Sequence, residues 1–183
     1  AIDEKSLDDT TGLGRWQNWQ RRYYAQVIEN LNAAGAKAIG LDITFTREQQ
    51  GVSEDDLKTL LLDPSTALTT LKPYIAADIH PDDQALAATL TRYNNVVLAK
   101  YGIAPAETSE DFYRVSAEKA TLKAFSDHAT LGYIHLVPDD DSVIRKMLIL
   151  LNRSDGNQDV LEENFTLRIV RKYFDSDPSS VSL

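Results

Sequence analysis

The stretch "GAKAIGLDITFTRE" (Gly35–Glu48) decides the fold. Ala36, Ala38, Ile39, Leu41, Ile43 and Phe45 make Ala36–Phe45 an almost continuous apolar run, as in a strand covered on both faces. Asp42 interrupts that run. A lone charge in apolar surroundings costs several kcal/mol or forces protonation. Asp42 must therefore be paired, hydrogen-bonded or placed at the exposed end of the strand.

Upstream, Trp19, Tyr23, Val27 and Leu31 recur at helical spacing, with Tyr24 and Ile28 beside them. Asn18 is placed as the N-cap and Gly35 as the stop. Before the helix, Ala1–Asp3 reads as the end of an earlier strand. Strand, helix and strand with short joints form a βαβ unit, which requires parallel strands and a right-handed crossover. Downstream, "HPDDQALAATLTRY" predicts a helix with Pro81 in its first turn and Leu86, Leu90 and Tyr93 on one face. "NNVVLAK" (Asn94–Lys100) then predicts a third strand and a second crossover. Between them, residues 46–81 read as a lobe inserted on one rim. Within it, Ser53–Asp56 resembles a capping box ahead of Leu57, Leu60 and Leu61, and Pro64 ends that short helix.

The second half changes character. Ala117–His128 is expected to be a helix with Leu122 and Phe125 inward. "TLGYIHLVP" and "VIRKMLILL" read as strands joined antiparallel through "DDDS", and "EENFTLRIVRKYF" as a helix bearing Phe165, Ile169, Val170 and Tyr173. The tail at about 175–183 is linker-like. The expected fold is one α/β domain over 1–183. Its mixed sheet has parallel βαβ units in the first half, an antiparallel pair late in the chain, and helices on the faces.

The net charge of −9 argues against a nucleic-acid partner, which needs a basic face. With no cysteine, a disulfide framework and thiolate metal or redox chemistry are excluded. No run approaches the roughly 18 apolar residues of a membrane span. The abrupt "AIDEKSL" start reads as a soluble piece whose membrane anchors lie outside it.

In a parallel sheet, ligand-directed polar groups gather beyond the carboxyl ends of the strands. Asp3 and Asp42 are placed there, with Arg21, Arg22 and Arg145 as the cations expected to face them and Arg15 next. Such a cluster either receives a ligand or caps the sheet. The structural reading is preferred, because ion-pair networks perturb carboxylates as readily as active sites do. Trp16 and Trp19 offer an aromatic wall, although at this spacing tryptophans usually belong to the core. Asp139–Asp141 invites calcium but lacks the spacing of a calcium loop. His80, His128 and His135 have no metal-ligand spacing. No metal, cofactor or catalytic residue is assigned, and no nucleophile elbow, phosphate loop or dinucleotide fingerprint occurs.

The order of these motifs resembles the second CHASE family, the cyclase/histidine-kinase-associated sensory extracellular domains of bacteria. Ile2-Asp3, the tryptophan-rich turn with Trp16, Trp19 and Arg21 or Arg22, the strand motif Gly40, Asp42 and Phe45, and the late set Gly132, Asp139, Asp141 and Arg145 carry the resemblance. The chain departs from the family pattern at Gln17, where proline is usual, and at Ser142, where glycine is usual. Residues 46–81 are also longer than the usual connection. The resemblance implies a non-catalytic, extracytoplasmic input domain of a transmembrane receptor. Membrane helices would flank it, and a cytoplasmic cyclase or kinase would read it out. An unidentified small molecule or peptide would be its ligand, and the full receptor would be a homodimer. Two rivals are a soluble hydrolase using Asp3 and Asp42, and a structural spacer or dimerisation domain.

Overall fold

A computed structural model describes residues 8, 19–76, 79–103, 114, 115, 117–119, 121–134, 141–145, 147–154 and 159–174. The chain divides into two compact units. The first comprises Ala1–Asn30 and Glu48–Thr89, the second Leu31–Arg47 and Leu90–Leu183. The lobe expected at 46–81 thus falls almost wholly within the first unit. The predicted strand at Ala1–Asp3, the acids Asp139 and Asp140, His135 and the tail at 175–183 lie outside the described residues.

Helix α1 (Arg21–Ala33) starts two residues later than the periodicity predicts, with the Tyr23 N–H donating to the Gln20 carbonyl at 3.0 Å. Its buried residues are Tyr24, Ala25 and Ile28. The expected stripe through Val27 and Leu31 is instead 42% and 41% exposed. The core-facing side is therefore the one that ran beside the predicted stripe. The stop at Gly35 holds: φ is +85°, and the Gly35 and Ala36 N–H groups donate to the carbonyls of Asn32 and Leu31. Only glycine takes that backbone without strain.

In the first unit, α2 (Glu54–Leu62) is capped by the Ser53 hydroxyl, which accepts from the Asp56 N–H at 3.1 Å. A 3-10 turn (Pro64–Thr66) leads to α3 (Ala67–Ala76). Leu61, Leu62, Leu68 and Ile75 are exposed, and no apolar residue of these two helices is among the fully buried ones described. Helix α4 (Pro81–Arg92) begins as predicted and buries Leu86 and Leu90 completely.

In the second unit, β1 is Ile39–Leu41, much shorter than the expected ten-residue strand. Beyond Leu41 the chain is a connection. Its anchor is Phe45, which is buried edge-on against Phe125 at 5.4 Å and accepts at its carbonyl from the Leu122 N–H. The central strand β2 (Val96–Ile103) pairs in parallel with β1, Ile39 opposite Val96. Val96, Val97, Leu98 and Ala99 are fully buried, as a strand covered on both faces should be.

The segment expected to be helical at Ala117–His128 splits in two. Ala117–Lys119 forms β4, antiparallel to the end of β2, and only Lys123–Ser126 forms helix α5. Residues with good helix propensity are drawn into a strand by the unpaired backbone of β2, a tertiary override of local preference. Between β2 and β4 lies β3 (Arg114–Val115). The late antiparallel pair also lies elsewhere than predicted. β5 (Thr130–Tyr133) runs parallel to β2, opposite β1. The antiparallel partners are β6 (Leu150–Ser154) and β7 (Asp159–Glu163), with β3 parallel to β6 on its other side. The Asp155-Gly156 pair between β6 and β7 is a hairpin signal that the strand assignment missed. Mixed α/β architecture stands; the partners of its antiparallel pair are corrected.

Helix α6 (Phe165–Phe174) lies on β1, β2 and β5. It needs two glycines beneath it. A Cβ on Gly132 would come within 2.5 Å of the Phe165 Cα, and one on Gly40 within 2.3 Å of the Ile169 Cδ1. Of the four apolar residues the sequence reading placed on this helix, Phe165 and Ile169 face the sheet, whereas Val170 and Tyr173 are exposed.

Candidate functional site

The candidate residues separate. Asp3 and Trp16 lie outside the described residues. Asp42 stands just past the end of β1 and is exposed. It has no ion-pair partner among the described residues. Of the three resolutions the sequence allowed, the exposed strand end is the one adopted, and the expected Asp42–arginine contact is corrected. Arg145 pairs with Asp141 instead, bidentately at 2.8 and 2.7 Å, with both side chains 54% exposed. Those bonds, with the Val143 N–H, hold the Asp141 carboxyl below the usual range. At this exposure the pair organises a turn.

Arg21 and Arg22 meet two acids the sequence reading did not weigh. Asp82 and Asp83, in the first turn of α4, are 1% and 0% exposed. Arg22 Nε donates to Asp82 Oδ1 at 2.5 Å, and Arg21 Nε lies 3.4 Å from Asp83 Oδ1. Asp83 Oδ2 accepts from the Gln49 N–H at 2.8 Å. Burial pushes the Asp83 carboxyl up, against the pull of Gln49 and Arg21. Asp82 Oδ2 is buried and has no hydrogen-bond partner among the described residues. The first turn of a helix favours both charges.

The network extends to the neighbouring helices. Tyr74 Oη accepts from Arg22 Nη2 at 3.4 Å and from the Ser53 N–H at 3.2 Å, and donates to Asp56. The Tyr74 and Ser53 hydroxyls hold the Asp56 carboxyl below its usual range. His80 Nδ1 accepts from the Asp82 N–H at 3.1 Å, so its proton sits on Nε2, which donates to the Gly51 carbonyl at 2.6 Å. These residues tie α1, α2, α3 and α4 together within the first unit. Their legible signal was the pairing of "RR" (Arg21-Arg22) with "DD" (Asp82-Asp83), two doublets of opposite sign.

The second unit has its own buried charges. Lys100, 6% exposed at the end of the apolar run of β2, donates to Glu162 Oε2 at 2.6 Å and lies 4.2 Å from the Tyr133 ring centroid. Arg153 Nε donates to Glu162 Oε1 at 2.8 Å. Burial raises the Glu162 carboxyl, but these two cations more than reverse that, and it ends below its usual range. Glu163 pairs with Arg168 at 3.0 Å and Arg171 at 2.9 Å.

A cavity of about 520 Å3 opens in the same unit, lined by Lys37, Asn94, Asn95, Lys172, Tyr173 and Phe174. Lys172 Nζ donates to the Asn94 carbonyl at 2.7 Å and to its Oδ1 at 3.0 Å. Lys37 Nζ lies 5.2 Å from the Tyr173 centroid. No group of three or more metal-ligating side chains occurs among the described residues.

Compared with known families, the chain matches the model described as CHASE2 domain over residues 1–182. Neither the curated proteins nor the solved structures contain a match.

Proposed function

The chain belongs to the CHASE2 domain family, a family of sensory extracellular domains, and from that premise we propose that it is the extracytoplasmic input module of a bacterial transmembrane receptor. The observation that carries this reading is the extent of the family match, residues 1–182. In this reading the chain performs no catalysis. Ligand binding or a change in packing shifts the domain between two states, and flanking membrane helices pass the shift to a cytoplasmic cyclase or kinase in a homodimer. A few kcal/mol of differential affinity between the states is sufficient. The buried charge networks support the reading, since paired charges that are costly to separate give discrete packing states rather than a continuum.

The test uses the parent protein in intact cells. The chain has no cysteine, so Asp42→Cys places one reporter thiol at an exposed position. Labelling of that variant by a membrane-impermeant maleimide before lysis, above the background of the unmodified parent, is expected. Removal of residues 1–182 is expected to change the output activity. Labelling only after lysis overturns the location, and an unchanged output overturns the sensory role.

A further inference from the structure

We propose that the cavity beside the last turn of α6 binds a small anion, a phosphate or carboxylate group carried on an apolar body. The inference goes beyond the sensory reading and does not depend on it. The chain as a whole carries a net charge of −9, yet among the described residues the cavity is lined by two lysines and no carboxylate. A concave site of one sign concentrates ions of the other. Its volume of about 520 Å3 lies in the range of small-molecule sites.

The two ammonium groups are placed rather than loose. Lys172 spends two of its three N–H donors on Asn94 and keeps the third. Lys37 rests against the Tyr173 ring. Beside them Tyr173 and Phe174, edge to face at 5.0 Å, remain 51% and 68% exposed. A purely structural role accounts for Lys172, which ties the end of α6 to Asn94. It does not account for the third Lys172 donor or for two adjacent aromatic rings left exposed. An anion with an apolar body uses all of them: charge-assisted hydrogen bonds to the lysines and ring contact with the aromatics.

The isolated chain is titrated with phenyl phosphate, benzoate and inorganic phosphate, followed by amide chemical shifts. Saturable shifts confined to residues 37, 94, 95 and 172–174 are expected for the two aromatic anions, with inorganic phosphate weaker. Lys37→Gln is expected to weaken binding about tenfold, the loss of one charged hydrogen bond. Because Lys172→Gln also cuts the tie to Asn94, Lys37→Gln with an unchanged melting temperature is the deciding variant. Equal affinity in that variant overturns the site. Inorganic phosphate binding as tightly as phenyl phosphate overturns the aromatic part.

Flotation with vesicles of phosphatidylglycerol and phosphatidylcholine separates the two sources of the anion. Binding that needs phosphatidylglycerol and is lost in Lys37→Gln assigns a lipid headgroup. Response to the soluble anions alone assigns a free ligand. No response in either arm overturns the proposal, while the tests of location and output stand apart from it.

Discussion

Ser142 has a φ of +63°, in the left-handed region where glycine is at ease and other residues are strained. The bidentate Asp141–Arg145 pair and the Val143 N–H on Asp141 hold the turn around it. The left-handed conformation costs a residue with a Cβ roughly 1–2 kcal/mol. Glycine returns part of that as extra freedom in the unfolded chain, roughly 0.4–1 kcal/mol. Ser142→Gly is therefore expected to raise stability by about 0.5–1 kcal/mol, seen as a melting temperature higher by about 1–4 °C. An unchanged or lower melting temperature would show that the turn holds no strain. Asp42 teaches the converse lesson at the same scale. An acid inside an apolar run demands an explanation, and the explanation is that the strand has already ended.

At the scale of the element, α6 is placed by what β1 and β5 lack. Gly40 and Gly132 were legible as parts of a motif, but their reason is visible only with α6 above them. The two differ in what a methyl group would strike. On Gly132 it meets helix backbone, the Phe165 Cα at 2.5 Å and N at 3.0 Å. On Gly40 it meets the end of the Ile169 side chain at 2.3 Å, which can rotate aside. Gly132→Ala is expected to destabilise by about 1–3 kcal/mol, and Gly40→Ala by about 1 kcal/mol or less. Urea denaturation of both variants, at matched slopes, measures the difference. The reverse order would mean that α6 does not rest on β5 as described. The elements that sequence periodicity located well, α4 and the apolar run of β2, are those whose own side chains carry the pattern. Those it missed, β4 and the β6–β7 pair, are strands by virtue of their partners.

For the molecule as a whole, acid stability depends on carboxylates that folding moves in opposite directions. Glu162 lies below its unfolded value near 4.5. Its contribution is therefore complete above that value and is lost as pH falls through the lowered folded one. Asp83 lies above its unfolded value. Its contribution is complete at acid pH and is lost as pH rises through the raised folded value. Glu162→Gln is expected to cost about 1.5–3 kcal/mol at neutral pH, where two cations lose a charged acceptor. It is also expected to make the acid limb of the stability profile shallower. Denaturant midpoints from neutral to acid pH test both, and an acid limb as steep as that of the unmodified chain would remove Glu162 as its cause.

By itself the sequence determined the buried face of α4, the buried run of β2 and that β1 and β2 run parallel, because hydrophobic period is local and a helical crossover fixes strand direction. Its motif order also pointed to the family that the match over residues 1–182 establishes. Tertiary structure alone decided which carboxylate meets which arginine and which strand meets which. Arg22 finds Asp82 sixty positions away and Lys100 finds Glu162 sixty-two positions away. A charge carries no mark of its partner along the chain. The partner is whichever opposite charge the packed elements bring within about 4 Å, and burial makes that pairing binding, since leaving either charge alone in the interior costs more than any local preference can offset.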